Sequence, residues 1–83
     1  MQAIEQTVRQ FIVDNFLFGN ESDAPARDAS FLELRLIDST GVLELVQFLE
    51  SEFDVQIADQ ELIPDNLDSL EKIARFVAHK RKS

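Results

Sequence analysis

Apolar side chains recur in three stretches of the chain at spacings of three and four residues. This spacing places side chains on one face of an α-helix. The three stretches are Ile4, Val8, Phe11, Ile12 and Phe16, then Val42, Leu45, Val46, Leu49 and Phe53, and finally Leu67, Leu70, Ile73, Ala74 and Val77. The pattern predicts three amphipathic helices.

Polar and helix-breaking residues predict where these helices begin and end. Gly19-Asn20 is typical of a helix end and predicts the end of the first helix. At the start of the second helix, either Asp38 or Ser39 can act as the N-cap. At the start of the last, Asp68 has the cap position relative to Glu71.

The stretch between the second and last helices favours one short helical turn. In "ADQELIPDN", Asp59 could cap this turn and Pro64 could end it. Only "DVQI" (54–57) has a strand-like pattern, and it is too short to form a sheet. We therefore predict a single all-α domain over residues 1–83, a four-helix bundle with three main helices and one short helix.

The connection from about Gly19 to Asp38 is longer than most loops in helical bundles. Its second half is apolar, with Phe31, Leu32, Leu34, Leu36 and Ile37. We expect these side chains to fold the long first loop over one end of the bundle and to fix the position of Ser39.

Charge is distributed unevenly along the 83 residues. Residues 1–70 contain three basic and fifteen acidic residues, a balance of −12, whereas residues 71–83 contain five basic and one acidic, a balance of +4. The acidic surface disfavours nucleic-acid binding. No apolar run approaches the ~20 residues of a membrane span, and no signal peptide is apparent. The last two features predict a cytoplasmic protein, and we expect it to be a monomer.

The residues needed for the common catalytic sites are missing from the sequence. There is one histidine, His79, and no cysteine, so neither a Ser-His-Asp triad nor a thiolate metal site can form. The two glycines do not form a phosphate-binding loop. We predict that the protein is not an enzyme and holds no metal.

The segment "LIDSTGVLELVQFLESEF" (36–53) combines a loop, an Asp-Ser pair and an amphipathic acidic helix. In a single small acidic α-domain this combination resembles the acyl carrier protein family. The resemblance extends from about Ser30 to Val77. It implies that Ser39 receives 4′-phosphopantetheine from coenzyme A, and that Asp38 helps to hold Mg²⁺ and coenzyme A during this transfer.

The resemblance also implies a set of partner enzymes. These are a phosphopantetheinyl transferase, an acyl- or aminoacyl-adenylating ligase, and acyltransferases or synthases of fatty acid or secondary metabolite biosynthesis. Candidates for the surface that contacts them are Leu43, Glu44, Val46, Gln47 and Glu50. For Leu43 and Val46, packing in the core is an equal alternative, and for Glu44 and Glu50 the alternative is simple solvation.

A second Asp-Ser pair, at residues 68–69, competes with the first. "DSL" at 68–70 matches the usual tripeptide of the family better than "DST" at 38–40. The helix after Ser69, however, ends in the basic "HKRKS", whereas acidic residues follow Ser39. We predict that Ser39 is the modified serine and that Ser69 only starts a helix.

Thr40 and Gly41 depart from the pattern of fatty-acid carriers. The order Asp-Ser-x-Gly is similar to that of aminoacyl carriers such as D-alanyl carrier proteins. It favours a polar cargo that stays outside the core, so an octanoyl chain is expected to shift the melting temperature little. The alternative to any carrier is an unmodified acidic helical module that binds a partner protein.

Overall fold

The structure, a computed structural model, describes residues 2–82, apart from the side chains of Gln2, Ser39 and Lys82. This part of the chain forms five α-helices and two 3₁₀ turns. The helices are α1 (Gln2–Phe16), α2 (Phe31–Leu34), α3 (Ser39–Phe53), α4 (Pro64–Leu67) and α5 (Leu70–Lys82), and the turns are Glu21–Asp23 and Asp59–Glu61. The described residues contain no strand, which confirms the all-α prediction. The three main helices are α1, α3 and α5.

Helix α1 ends at Phe16, three residues before the glycine that predicts its end. The N–H groups of Leu17 and Gly19 both donate to the carbonyl of Val13, at 3.3 and 2.8 Å. Gly19 takes a φ of +81°, a left-handed conformation that glycine adopts without a steric penalty. The predicted stop signal is therefore confirmed.

Helix α5 packs against α1, α3 and α4. The apolar stripes predicted from the sequence meet in one core. Its fully buried members include Val8 and Ile12 of α1, Leu45 and Leu49 of α3, and Ile73, Ala74 and Val77 of α5. Burial of these stripes stabilises the helices more than their intrinsic propensities do, because helices this short are marginal alone.

A row of four phenylalanines joins α1 to α3. Phe11 stacks on Phe48 with their ring centroids 4.1 Å apart. Phe16 meets Phe11 edge-on at 5.9 Å, and Phe53 meets Phe48 edge-on at 6.4 Å. Such aromatic pairs contribute roughly 0.5–1.5 kcal/mol each beyond their buried area. The row joins the second half of α1 to the second half of α3.

The long first connection is ordered by contacts with α1 and α5. It contains the first 3₁₀ turn and α2, neither of which the sequence pattern predicted. Arg27 donates two hydrogen bonds to Glu5 of α1, at 2.8 and 2.9 Å, and its carbonyl accepts from the Glu71 N–H at 2.8 Å. Phe31 and Ile37 are buried as expected, but Leu32 and Leu34 are more than half exposed.

The segment before α5 differs from its prediction in three details. Asp59 is the first residue of the 3₁₀ turn and not its cap; the cap position belongs to Ala58, whose N–H donates to Glu61 at 2.9 Å. Pro64 does not end a turn but begins α4, where its missing N–H costs no helical hydrogen bond. Leu67 belongs to α4 and not to the last helix.

Candidate functional site

The start of α3 is capped by Asp38. Its carboxylate Oδ1 accepts a hydrogen bond from the Gly41 N–H at 2.7 Å, and its carbonyl accepts from Val42 at 2.9 Å. Of the two capping alternatives, the structure therefore selects Asp38. Ser39 is the first residue of the helix, and its side chain, on which the modification prediction depends, lies outside the described atoms. The side chains on both sides of it, Asp38 and Thr40, are exposed.

Gly41 is required by a close approach of two side chains to the first turn of α3. A Cβ atom at this position would lie 2.8 Å from Cε1 of Phe16 and 3.0 Å from Cγ2 of Ile37. Ordinary carbon contacts are about 3.5–4.0 Å. Packing against α1 and the preceding loop thus explains this glycine without reference to the chemistry of the cargo.

The second Asp-Ser pair has a different geometry. Ser69 is only 3% exposed, and its hydroxyl oxygen accepts the Lys72 N–H at 3.1 Å, so Ser69 caps α5. The prediction that Asp68 is the cap is wrong. The Asp68 carboxylate instead accepts the Ser30 hydroxyl at 2.5 Å and the Leu32 N–H at 3.0 Å. This carboxylate ties α2 to the start of α5.

The five candidate partner-surface residues on α3 separate into three groups. Leu43 is 58% exposed, and Glu44 and Gln47 are also exposed. Val46 is 9% exposed and belongs to the core, because it lies on the same helical face as Leu45 and Leu49. It is therefore unsuitable as a surface contact, and the packing alternative holds for it.

Glu50 is half-buried and has a structural partner. Its carboxylate accepts the Ile57 N–H at 2.9 Å and so holds the segment after α3 against the helix. Simple solvation does not describe this residue. The sequence gives little sign of the contact, since seven residues and a reversal of the chain separate the two groups.

Two depressions flank the first turns of α3. One is an apolar pocket of about 170 Å³ between α2, α3 and α4, and its lining includes Ile37, Val42, Leu45 and Leu67. The other, of about 320 Å³, has a largely polar lining that includes Arg35, Asp38, Thr40 and Glu44 together with Phe16. The helix start thus lies between an apolar and a polar surface.

The described residues contain neither a metal-binding cluster nor a membrane-spanning helix. No group of three or more His, Cys, Asp or Glu side chains among residues 2–82 is arranged to hold a metal ion. None of the helices in this part of the chain is long and apolar enough to span a membrane.

Comparison with known proteins identifies the family. No protein-family model matches the chain. An acyl carrier protein from Akkermansia muciniphila, however, is 38% identical over 80 residues, which are 96% of this chain and 91% of the relative. The chain belongs to the acyl carrier protein family.

Membership of this family gives the protein a carrier role without catalysis of its own. The resemblance that the "DST" segment and its acidic helix indicate is thereby confirmed. For the site, sequence reasoning missed two features of this carrier. They are the contact of Phe16 with Gly41 and the hydrogen bonds of Asp68 to α2. Apolar periodicity marks Phe16 only as a core residue, and neither contact leaves a local sequence signal.

Proposed function

We propose that the carrier bears 4′-phosphopantetheine on Ser39 and shuttles a thioester-bound acyl or aminoacyl group between partner enzymes. The observation that carries this proposal is the difference between the two Asp-Ser pairs. Ser69 is buried and its hydroxyl caps α5, so a transferase cannot reach it without unfolding the helix start. Ser39 begins α3 between two exposed residues.

The residues at the start of α3 suit the attachment of an anionic group. The Ser39 hydroxyl oxygen would attack the phosphate that carries the pantetheine arm of coenzyme A; the pyrophosphate bond breaks, adenosine 3′,5′-bisphosphate leaves, and the hydroxyl proton is released. The new phosphodiester is an anion, which the N-terminal end of a helix favours. The exposed Asp38 is available to help hold Mg²⁺ and coenzyme A during transfer, because a carboxylate can accept several bonds in addition to its cap. The bound group supplies a thiol, which the chain itself lacks.

The partners that we propose are a phosphopantetheinyl transferase, an acyl- or aminoacyl-adenylating ligase, and acyltransferases or synthases. Leu43, Glu44 and Gln47 form the contact surface on α3 that remains after Val46 is assigned to the core and Glu50 to its hydrogen bond with the Ile57 N–H. The acidic residues would attract basic partners and speed their association. The chain's net charge of −8 also opposes self-association, which supports action as a monomer, and we place it in the cytoplasm.

Intact mass measures the proposed modification directly. The purified chain is incubated with coenzyme A, Mg²⁺ and a broad-specificity phosphopantetheinyl transferase. We expect the mass to increase by one phosphopantetheinyl group. An unchanged mass would instead favour the alternative, an unmodified acidic helical module that binds a partner protein.

For the cargo, the structure favours an apolar acyl chain over the aminoacyl group that Gly41 indicated. Packing against Phe16 accounts for Gly41, and the apolar pocket borders Val42, one turn after Ser39. Its volume of about 170 Å³ resembles that of an engineered apolar cavity of ~150 Å³ that binds benzene. A short acyl chain therefore needs little opening of the core.

Thermal melts of chemically loaded carriers distinguish the two cargo classes. Each buried methylene contributes up to ~0.8 kcal/mol, and 1 kcal/mol corresponds to about 4–8 °C in a domain of this size. We expect the octanoyl form to melt several degrees above the acetyl form. A D-alanyl control should match acetyl, because burial of its unpaired ammonium is costly. Equal melting temperatures for octanoyl and acetyl would restore the aminoacyl interpretation.

A further inference from the structure

Phe18 has the most exposed large apolar side chain of the described residues. It is 98% exposed and follows the end of α1. Its φ is +54°, in the left-handed region, and Gly19 continues this conformation with a φ of +81°. A bulky aromatic residue is rarely found in this backbone conformation, which glycine and asparagine adopt most readily.

Folding does not explain a phenylalanine at this position. An exposed ring gains almost nothing from the hydrophobic effect, because that gain is proportional to the apolar area removed from water. The left-handed conformation adds a backbone cost that no burial offsets. A polar residue would therefore suit the isolated domain better. Burial of the ring can offset the cost of the left-handed backbone only when another molecule covers Phe18.

Phe18 lies at the same end of the molecule as Ser39. Phe16, two residues earlier, reaches so close to the first turn of α3 that a Cβ on Gly41 would lie 2.8 Å from its ring. The residues that follow Phe18 are polar and acidic, with Glu21 and Asp23 both exposed. An enzyme that acts on Ser39 must therefore approach a surface that carries this ring and its acidic neighbours.

The charge of the chain and the order in which enzymes act on it favour one binding partner for Phe18. A second copy of the chain also has a net charge of −8, so self-association through this surface is opposed. A partner with basic residues around an apolar pocket is complementary. The first enzyme to act on Ser39 has no cofactor arm to bind and must recognise the protein surface alone.

From these observations we infer that Phe18 is a docking residue for the phosphopantetheinyl transferase, with its ring inserted into an apolar pocket that has a basic rim. This inference rests on the proposed modification of Ser39. Aromatic side chains that become buried at the centre of an interface commonly dominate binding. The same ring contributes nothing to the stability of the free domain.

Two substitutions of Phe18 in the full chain test the inference. Phe18→Asn removes the ring and suits the left-handed backbone, whereas Phe18→Tyr keeps the ring and is the matched control. Initial rates of modification are measured against carrier concentration with coenzyme A, Mg²⁺ and a broad-specificity transferase. We expect Phe18→Asn to raise KM by about tenfold with kcat unchanged, the size of a hot-spot truncation. Phe18→Tyr should retain the KM of the wild-type chain.

Thermal melts of the same proteins separate docking from folding. Phe18→Asn should melt at the wild-type temperature or above it, because it relieves backbone strain and exposes no core. A lower melting temperature would assign Phe18 to folding and overturn the inference, as would a wild-type KM for Phe18→Asn. If the wild-type chain is not modified at all, the proposed function itself fails, and this docking role fails with it.

Discussion

The dipeptide Asp-Ser occurs at residues 38–39 and 68–69, and each pair lies at the start of a long helix. The residue that caps the helix differs between the two pairs. At the start of α3, Asp38 is the cap and Ser39 is the first helical residue. At the start of α5, Ser69 is the cap and the Asp68 carboxylate binds α2. The first pair thus has an exposed aspartate, and the second is joined to its surroundings through both side chains.

This difference of one residue in the capping position has a functional consequence. The cap side chain turns back toward the first turn of its helix, and a serine used in this way cannot react without freeing the N–H that it holds. The first helical residue is not the cap, so its reaction does not free that N–H. The cap at each helix start therefore supports our proposal that Ser39, and not Ser69, is modified.

Alanine substitution of each serine tests the comparison most directly. Ser39→Ala should abolish phosphopantetheinyl transfer, while the melting temperature stays near that of the wild-type chain. Ser69→Ala should leave modification intact but lower the free energy of unfolding by about 1 kcal/mol, the usual effect of losing a cap. Intact mass and thermal melts measure both effects. Loss of modification in Ser69→Ala alone would reverse our assignment of the two serines.

Gly41→Ala tests the packing that holds the start of α3 in place. The new methyl group would approach Phe16 to 2.8 Å and Ile37 to 3.0 Å, so one of these side chains must move. Overpacking of this kind costs about 1–3 kcal/mol, and each kcal/mol lowers the melting temperature by about 4–8 °C. Combining it with Phe16→Leu should recover part of the loss. An unchanged melting temperature in Gly41→Ala would show that the contact does not constrain α3.

Glu5→Gln tests the contact by which Arg27 of the long loop joins α1 to the start of α5. The hydrogen bond from Arg27 lowers the pKa of Glu5 below its ordinary value of 4.5. A lowered folded-state pKa stabilises the protein above about pH 4.5, and this contribution is lost as the pH falls through the folded-state pKa. The Glu5→Gln variant should unfold more easily at pH 7 by about 1–2 kcal/mol.

The difference between wild type and Glu5→Gln should then shrink as the pH is lowered from 5 toward 3. Denaturant titrations across this range measure it. Glu61, whose pKa is also lowered, is present in both proteins and cancels in the comparison. A pH-independent difference would mean that the pair does not contribute through its charge.

Glu44→Gln and Glu50→Gln give the smallest expected effects and separate the acidic residues that follow Ser39. Glu44 is exposed, so its replacement should slow transferase association by a few-fold at low salt, and the defect should fade at high salt as screening increases. Glu50→Gln should mainly weaken the contact with the Ile57 N–H and lower stability. Salt-independent rates for both variants would remove Glu44 from the docking surface.

Most of the helical architecture could be predicted from the sequence, because it depends on local periodicity. Apolar residues spaced by three and four must share a helical face, and this alone predicted α1, α3 and the body of α5. The short helices α2 and α4 could not be found in this way. Each has four residues, too few to show a periodic pattern. The Asp68 carboxylate holds α2, and α4 begins at Pro64.

At the candidate site, too, some features could be predicted from the local sequence and others depend on tertiary contacts. Asp38, Ser39 and the acidic helix are adjacent in sequence, so their combination could be recognised without coordinates. Whether an apolar residue of that helix faces the core or solvent was undecided for Leu43 and Val46, which are 58% and 9% exposed. Spacing puts Val46 but not Leu43 on the apolar stripe of α3, and the positions of α1 and α5 make this stripe the covered face.

By itself the sequence determined the all-α class, the acidic surface and the resemblance to carrier proteins, because these follow from composition and from residues close together in the chain. The tertiary structure alone decided which serine is a cap, why Gly41 lacks a side chain and what Glu50 binds. Each of these depends on groups that folding brings together: Asp68 with Ser30, Phe16 with Gly41, and Glu50 with Ile57. Local patterns do not encode such contacts, since their energy exists only after the helices have packed.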